Sequence, residues 1–138
     1  MSKDIAIVYW SGSGNTENLA NAIADGVKEA GGTVDVYNVA DAEVASIAEY
    51  NKIVLGCPAM GDEVLEESEF EPFYLELESL IAGKPVYLFG SYDWGDGQWM
   101  RNWAETASEN KLQVIETLIV QQADDGTEDA KNLGKRLV

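Results

Sequence analysis

The sequence predicts an α/β fold: a doubly wound, five-stranded parallel sheet in the order 2-1-3-4-5, with helices on both faces. Three observations predict it. Short apolar runs alternate with longer stretches of helical period. The runs are apolar throughout, as strands covered on both faces are. No internal repeat, low-complexity tract or linker breaks the 138 residues, a length that suits a single domain spanning 1–138.

The elements follow in order. Ile5-Ala6-Ile7-Val8-Tyr9 reads as a strand buried on both faces. Leu19, Ile23 and Val27 recur every four residues and form one apolar helix stripe ending near Gly31-Gly32. Val34, Val36 and Val39 sit among polar residues, the looser pattern of an edge strand. The stretch from Asp41 to Ala48 gives the weakest helical signal, because its apolar residues are mostly alanine. Ile53 to Gly56 is a third strand and Val86 to Gly90 a fourth. Between them Phe70, Phe73, Leu77, Leu80 and Ile81 mark a helix, with Pro72 tolerated in its first turn. Trp99, Trp103 and Ala107 stripe another helix, Val114 to Val120 is the last strand, and Ala130, Leu133 and Leu137 stripe a closing helix.

Composition excludes much. With 9 basic and 25 acidic residues the formal charge is −16, which opposes binding to nucleic acid or an anionic membrane surface. Histidine is absent, so a Ser-His-Asp triad, a Cys-His pair and a His-ligated metal cannot form. The single cysteine, Cys57, excludes an intramolecular disulfide and multi-cysteine metal sites. It reads as a small buried residue with inert packing. The N-terminal apolar run is too short for a signal peptide or a membrane span, and a cytoplasmic location is expected.

Doubly wound sheets bind ligands beyond the carboxyl ends of their strands, at the switch point between strands 1 and 3. Three loops lie there. Trp10-Ser11-Gly12-Ser13-Gly14-Asn15-Thr16 follows strand 1 and feeds the first helix. Its glycines let backbone N–H groups turn inward, its hydroxyls and amide add donors, and the helix N-terminus adds partial positive charge. It reads as a phosphate cradle; the plainer alternative is a Ser/Gly turn capping a helix. It is not a Walker A loop, and Glu17 stands where the dinucleotide fingerprint needs a third glycine. Any phosphate here is held by dipoles and hydrogen bonds alone, since the nearest cations in sequence are Lys3 and Lys28. Cys57-Pro58-Ala59-Met60-Gly61-Asp62-Glu63 follows strand 3, and Ser91-Tyr92-Asp93-Trp94-Gly95-Asp96-Gly97 follows strand 4. Each offers one large soft side chain, Met60 or Trp94, suited either to a flat aromatic ligand or, for Met60, to a satellite core.

The three loops together resemble those of the short-chain flavodoxins of clostridial type, FMN-containing one-electron carriers, and the resemblance spans essentially the whole chain. It rests on Tyr9 to Glu17, Gly56 to Glu63 and Phe89 to Gly97. It implies that Ser11, Ser13, Asn15 and Thr16, within a turn shaped by Gly12 and Gly14, bind the FMN phosphate, with Ser91 and Tyr92 nearby. Met60 and Trp94 would cover the two faces of the isoalloxazine ring, and the Asp93 to Gly95 backbone would contact its pyrimidine edge. Glu63 would accept from flavin N3–H, beside Pro58 and Ala59. Pro58 stands where some relatives carry serine, which removes one phosphate contact. The resemblance also implies that the Gly61-Asp62 peptide turns over on one-electron reduction and offers its carbonyl to protonated flavin N5. One net hydrogen bond of roughly 0.5–1.5 kcal/mol is worth about 20–65 mV in a one-electron couple. Asp93 replaces a glycine common in relatives, so a more negative hydroquinone couple or weaker FMN binding is expected.

Between Lys52 and Lys84 lie eight carboxylates and no Lys or Arg. Such a run disfavours an anionic hydroquinone and steers basic partners, although Glu76 and Glu78 read as a solvated helix face. The function implied is a low-potential carrier cycling between semiquinone and hydroquinone, a monomer with no catalytic acid, base or nucleophile of its own. Electrons would leave by a flavin edge framed by Met60, Trp94 and Trp99. Partners by resemblance are NAD(P)H-linked flavodoxin reductases and low-potential iron–sulfur oxidoreductases. The alternatives are an FMN-dependent NAD(P)H:quinone-type reductase, for which little chain is left to build a donor pocket, and a flavodoxin-like activator of one enzyme. A receiver domain lacks its acid cluster here, and a Cys-x5-Arg phosphatase has Glu63 in place of its arginine.

Overall fold

In the computed structural model, which describes residues 4–10, 14–59, 66–92, 97–121 and 126–138, the five apolar runs pair in parallel. They are β1 (Ile5–Tyr9), β2 (Asp35–Asn38), β3 (Lys52–Gly56), β4 (Pro85–Tyr92) and β5 (Gln113–Gln121), in the order β2-β1-β3-β4-β5. The register aligns Tyr9 with Gly56 and Gly56 with Phe89, so β1 and β3 end level while β4 runs on to Tyr92, all at the sheet end that bears the three candidate loops.

Alternation along each strand sorts side chains to two faces. Ile5, Ile7 and Tyr9 pack with Leu19, Ile23 and Val27 of α1 (Asn15–Glu29) and with Ala130 and Leu133 of α5 (Thr127–Arg136). Ala6, Val8, Leu55 and Leu88 face Phe70, Phe73 and Leu77 of α3 (Phe70–Glu78) and Trp99, Trp103 and Ala107 of α4 (Gln98–Glu109). The helical stripes therefore bury as their spacing requires.

Helices α1 and α5 touch backbone to backbone. A Cβ on Gly26 would lie 2.0 Å from the Lys131 carbonyl oxygen, and one on Gly134 would lie 2.0 Å from that of Ile23. Glu29 braces the pair from outside, 3.2 Å from Lys131 and 3.7 Å from Lys135.

Four details depart from the sequence reading. The Asp41–Ala48 helix contracts to a 3-10 turn (Val39–Asp41) and the single turn α2 (Val44–Ile47), which buries Ile47 alone. Val39 leaves the strand for that turn, where Asn38 caps it by accepting from the Ala40 N–H, and still enters the core. Helix α3 stops at Glu78, so Leu80 is 56% exposed while Ile81 is buried. Strand β5 is an edge with alternating burial, in which Ile115 and Ile119 are 53% and 38% exposed. Among the described residues no helix is long and apolar enough to cross a membrane.

Candidate functional site

Hydrogen bonds that continue the parallel ladder past the strand ends hold the three loops together. The Trp10 N–H donates to the Gly56 carbonyl (3.0 Å), Cys57 to Phe89 (3.1 Å) and Ala59 to Ser91 (3.0 Å). Leaving β1, the chain enters α1 through Gly14, whose φ of 95° is a conformation that favours glycine. Two residues on, in the first turn of α1, Thr16 is 1% exposed; Ser91 is 2% exposed, and their hydroxyl oxygens lie 3.1 Å apart.

That pair joins the loop after β1 to the end of β4 across the sheet. Two buried hydroxyls own two protons, and one bond between them uses only one. The second is available to an acceptor at the positive end of a 15-residue helix. A pocket of about 350 Å³ opens beside them, lined by Asn15, Asn18, Ser91, Gln121 and Thr127 and, farther along α1, by the Asp25 carboxylate, with no Lys or Arg among its described residues. The donor set suits a phosphate ester held without a cation, which is the end of FMN these residues fit.

Seven of the sequence-predicted site residues can be located. Gly14, Asn15, Thr16 and Ser91 converge on the pocket or its rim; Pro58 is buried, Ala59 half-buried, and Tyr92 leans on Trp99 with ring centroids 5.7 Å apart. Ser11, Gly12, Ser13, Met60, Gly61, Asp62, Glu63, Asp93, Trp94 and Gly95 lie outside the described residues. The stacking pair and the Gly61-Asp62 hinge are among these.

Two expectations are corrected. Trp99 does not frame an exposed edge: it is 1% exposed and its Nε1–H donates to the Cys57 carbonyl at 3.3 Å. Its i, i+4 partnership with Trp103 turns it into the core beneath β3 and β4. Glu78 is not solvated, being 8% exposed and bonded by the Tyr74 hydroxyl at 2.5 Å and the Asn110 amide at 3.0 Å. Glu76, two residues away, does face solvent.

Cys57 fits the inert reading. It is fully buried, and burial, reinforced by Glu66 and Glu71, pushes its thiol up to about 12 against the opposing Glu66 N–H. The thiol is therefore protonated at neutral pH.

The sequence reading missed Glu66, which anchors the start of α3. Its buried carboxylate accepts from the N–H groups of Ser68, Glu69 and Phe70 at 2.8, 2.7 and 2.8 Å. Burial pushes this carboxyl up, but the three N–H donors outweigh it and hold the group below its ordinary range. Its own backbone N–H donates to the Cys57 sulfur at 3.3 Å, which ties the residues before α3 to the end of β3. The signal was present: an acid just before an apolar helix start is a capping pattern. Trp10 adds a second tie, donating its Nε1–H to Glu69 at 3.3 Å.

Comparison with known proteins decides the family. The flavodoxin family model matches residues 7–134. The chain belongs to the flavodoxin family. It is 50% identical to the flavodoxin of Clostridium beijerinckii over 133 residues, spanning 95% of this chain and 96% of that one. Identity to the flavodoxin of Megasphaera elsdenii is 46% over 131 residues, with the same coverage. The solution structure of two-electron reduced Megasphaera elsdenii flavodoxin superposes with a TM-score of 0.90 over 96% of this chain and 97% of that one, at 45% identity. Flavodoxins are FMN-binding electron carriers, and this flavodoxin's fold, strand order and cofactor class are those of the family.

Proposed function

We propose that residues 1–138 work as one domain, a low-potential one-electron carrier that binds FMN non-covalently and cycles between its semiquinone and hydroquinone states. The observation that carries the reading is the buried Thr16–Ser91 hydroxyl pair at the N-terminus of α1, a phosphate site assembled without a cation. Asn15, Thr16 and Ser91, with Ser11 and Ser13, hold the phosphate, and Gly12 and Gly14 shape the turn. Met60 and Trp94 take the two ring faces. Glu63 and the Asp93 to Gly95 backbone take the pyrimidine edge, with Pro58, Ala59 and Tyr92 at the margins, and the Gly61-Asp62 peptide responds to reduction at N5.

Bound FMN supplies the redox chemistry; the protein supplies orientation and field. A net charge of −16 and a phosphate site without a nearby cation disfavour further negative charge on the ring, which lowers the second potential. The same charge selects partners with basic faces, namely NAD(P)H-linked flavodoxin reductases and low-potential iron–sulfur oxidoreductases, in the cytoplasm and from a monomer. Such complexes weaken with salt, as screening sets in over about 8 Å at physiological ionic strength. No catalytic acid, base or nucleophile of the chain enters this role.

Titration of the flavin-free protein with FMN and with riboflavin, followed by flavin fluorescence, tests the phosphate site. FMN is expected to bind one to one and far more tightly than riboflavin. Replacing Thr16 with Val should cost about 1.5–3 kcal/mol, roughly ten- to a hundredfold in Kd, for a hydrogen bond to a charged group. Equal affinity for the two flavins would remove the phosphate from the reading, and no binding would overturn it.

A further inference from the structure

The α3/α4 side of the core holds a connected set of oxidisable rings. Tyr92, at the end of β4, lies 5.7 Å from Trp99. Trp103 follows one helical turn later on α4, a rise of about 6 Å. It meets Tyr74 edge-on at 5.7 Å and Phe70 edge-on at 5.5 Å. Trp99, Trp103 and Tyr74 are at most 4% exposed.

The two ends of this set differ in what lies beside their protons. The Trp103 Nε1–H is buried and has no hydrogen-bond partner among the described residues, although it approaches the Tyr74 hydroxyl. An electron lost from this indole leaves a cation with no base to take its proton. Tyr74 has such a base: its hydroxyl donates to the Glu78 carboxyl at 2.5 Å. Asn110 fills the other Glu78 oxygen at 3.0 Å, so both oxygens act as acceptors.

We propose that Tyr74 and Glu78 form a proton-coupled radical sink at the end of a Trp99–Trp103 relay. A strong one-electron oxidant removes one electron from an indole and is itself reduced by one. Tyr74 returns one electron to that indole while its hydroxyl proton passes to Glu78. The phenolic O–H bond breaks and a carboxylic O–H bond forms, so the pair keeps its proton and only the electron has left. The oxidising equivalent then rests on Tyr74. A photoexcited flavin is an oxidant of the required class; the proposal rests on the flavin reading only for that source.

The test therefore uses an oxidant that needs no flavin. Azide radicals generated by pulse radiolysis oxidise tryptophan in the FMN-loaded protein, and optical and EPR detection follow the tryptophanyl and tyrosyl signals. The expected result is a tryptophanyl decay matched by a tyrosyl rise, at a rate independent of protein concentration and slowed in deuterated solvent. Tyr74→Phe should abolish this phase. Glu78→Gln, which keeps an acceptor oxygen but is too weak a base for the proton, should remove its solvent isotope effect and lengthen the tryptophanyl lifetime. Tyr87→Phe, on the opposite face of the sheet, should leave the phase in place. An unchanged phase in Tyr74→Phe or Glu78→Gln, or its loss in Tyr87→Phe alone, would overturn the sink. Tyr74 and Glu78 would then serve only to anchor α3 against the end of α4. Failure of the flavin reading would show separately, as no FMN-dependent signal on illumination beside an intact azide-driven phase.

Discussion

The two faces of the sheet solve the same burial problem with different materials. On the α1/α5 face the helices contribute only aliphatic or small residues, set against the strand rings Tyr9, Tyr87 and Phe89, and they close until Gly26 and Gly134 touch opposing backbone. On the α3/α4 face large rings fill the space, and they enclose polar groups: the Glu66 clasp, the Tyr74–Glu78–Asn110 bonds and the indole of Trp99 on the Cys57 carbonyl. The first arrangement tolerates little added volume, which suits a platform that fixes where α1 presents its N-terminus. The second is held by directed bonds as well as packing, which suits the side that must position the loops after β3 and β4.

The contrast is open to four perturbations. Phe70→Ala, on the ring-filled face, should lower unfolding free energy most, by about 3–5 kcal/mol in urea denaturation, since a fully buried ring leaves a cavity between Tyr74 and Trp103. Gly134→Ala, on the close-packed face, should cost about 1–3 kcal/mol by overpacking, despite alanine's better helix propensity. A neutral or stabilised variant would mean that α5 can move off α1.

Glu66→Gln should cost about 1–3 kcal/mol and change the acid response. The folded carboxyl is held below its ordinary range, so its contribution is complete above the unfolded value and disappears as pH falls through the folded one. Stability of the variant should accordingly vary less with pH across that acidic window, as measured by urea midpoints at stepped pH. The smallest effect belongs to Glu29→Gln. Its exposed pairs with Lys131 and Lys135 are screened by water, so melting should barely move and any difference should vanish in high salt.

The same contrast explains what could be read in advance. Leu19, Ile23 and Val27 needed only their spacing, because a stripe packed on a strand is a local pattern. The order of strands and the placement of the three loops at one end of the sheet followed from the alternation of elements. Burial of Glu78 depended on Tyr74 four residues before it and on Asn110 arriving from another helix, and an acid on a helix has no local mark of such partners. Leu80, Ile115 and Ile119 show the converse: periodicity and apolar character identify a candidate for the core, while cover depends on where α3 stops and on the edge position of β5. Trp99 was misplaced for the same reason, its indole having a carbonyl of another strand to bond. At the site, Thr16 and Ser91 were legible as residue types in the right loops, and their meeting across 75 positions of sequence was supplied by the fold.

Anaerobic stepwise reduction of the FMN-loaded protein, followed by its visible spectrum, tests the central claim most directly. The account predicts two well-separated one-electron steps, with a long-lived blue neutral semiquinone between them and a much more negative second step. Reduction in a single two-electron step with no semiquinone would contradict it and favour a hydride-accepting reductase on the same fold.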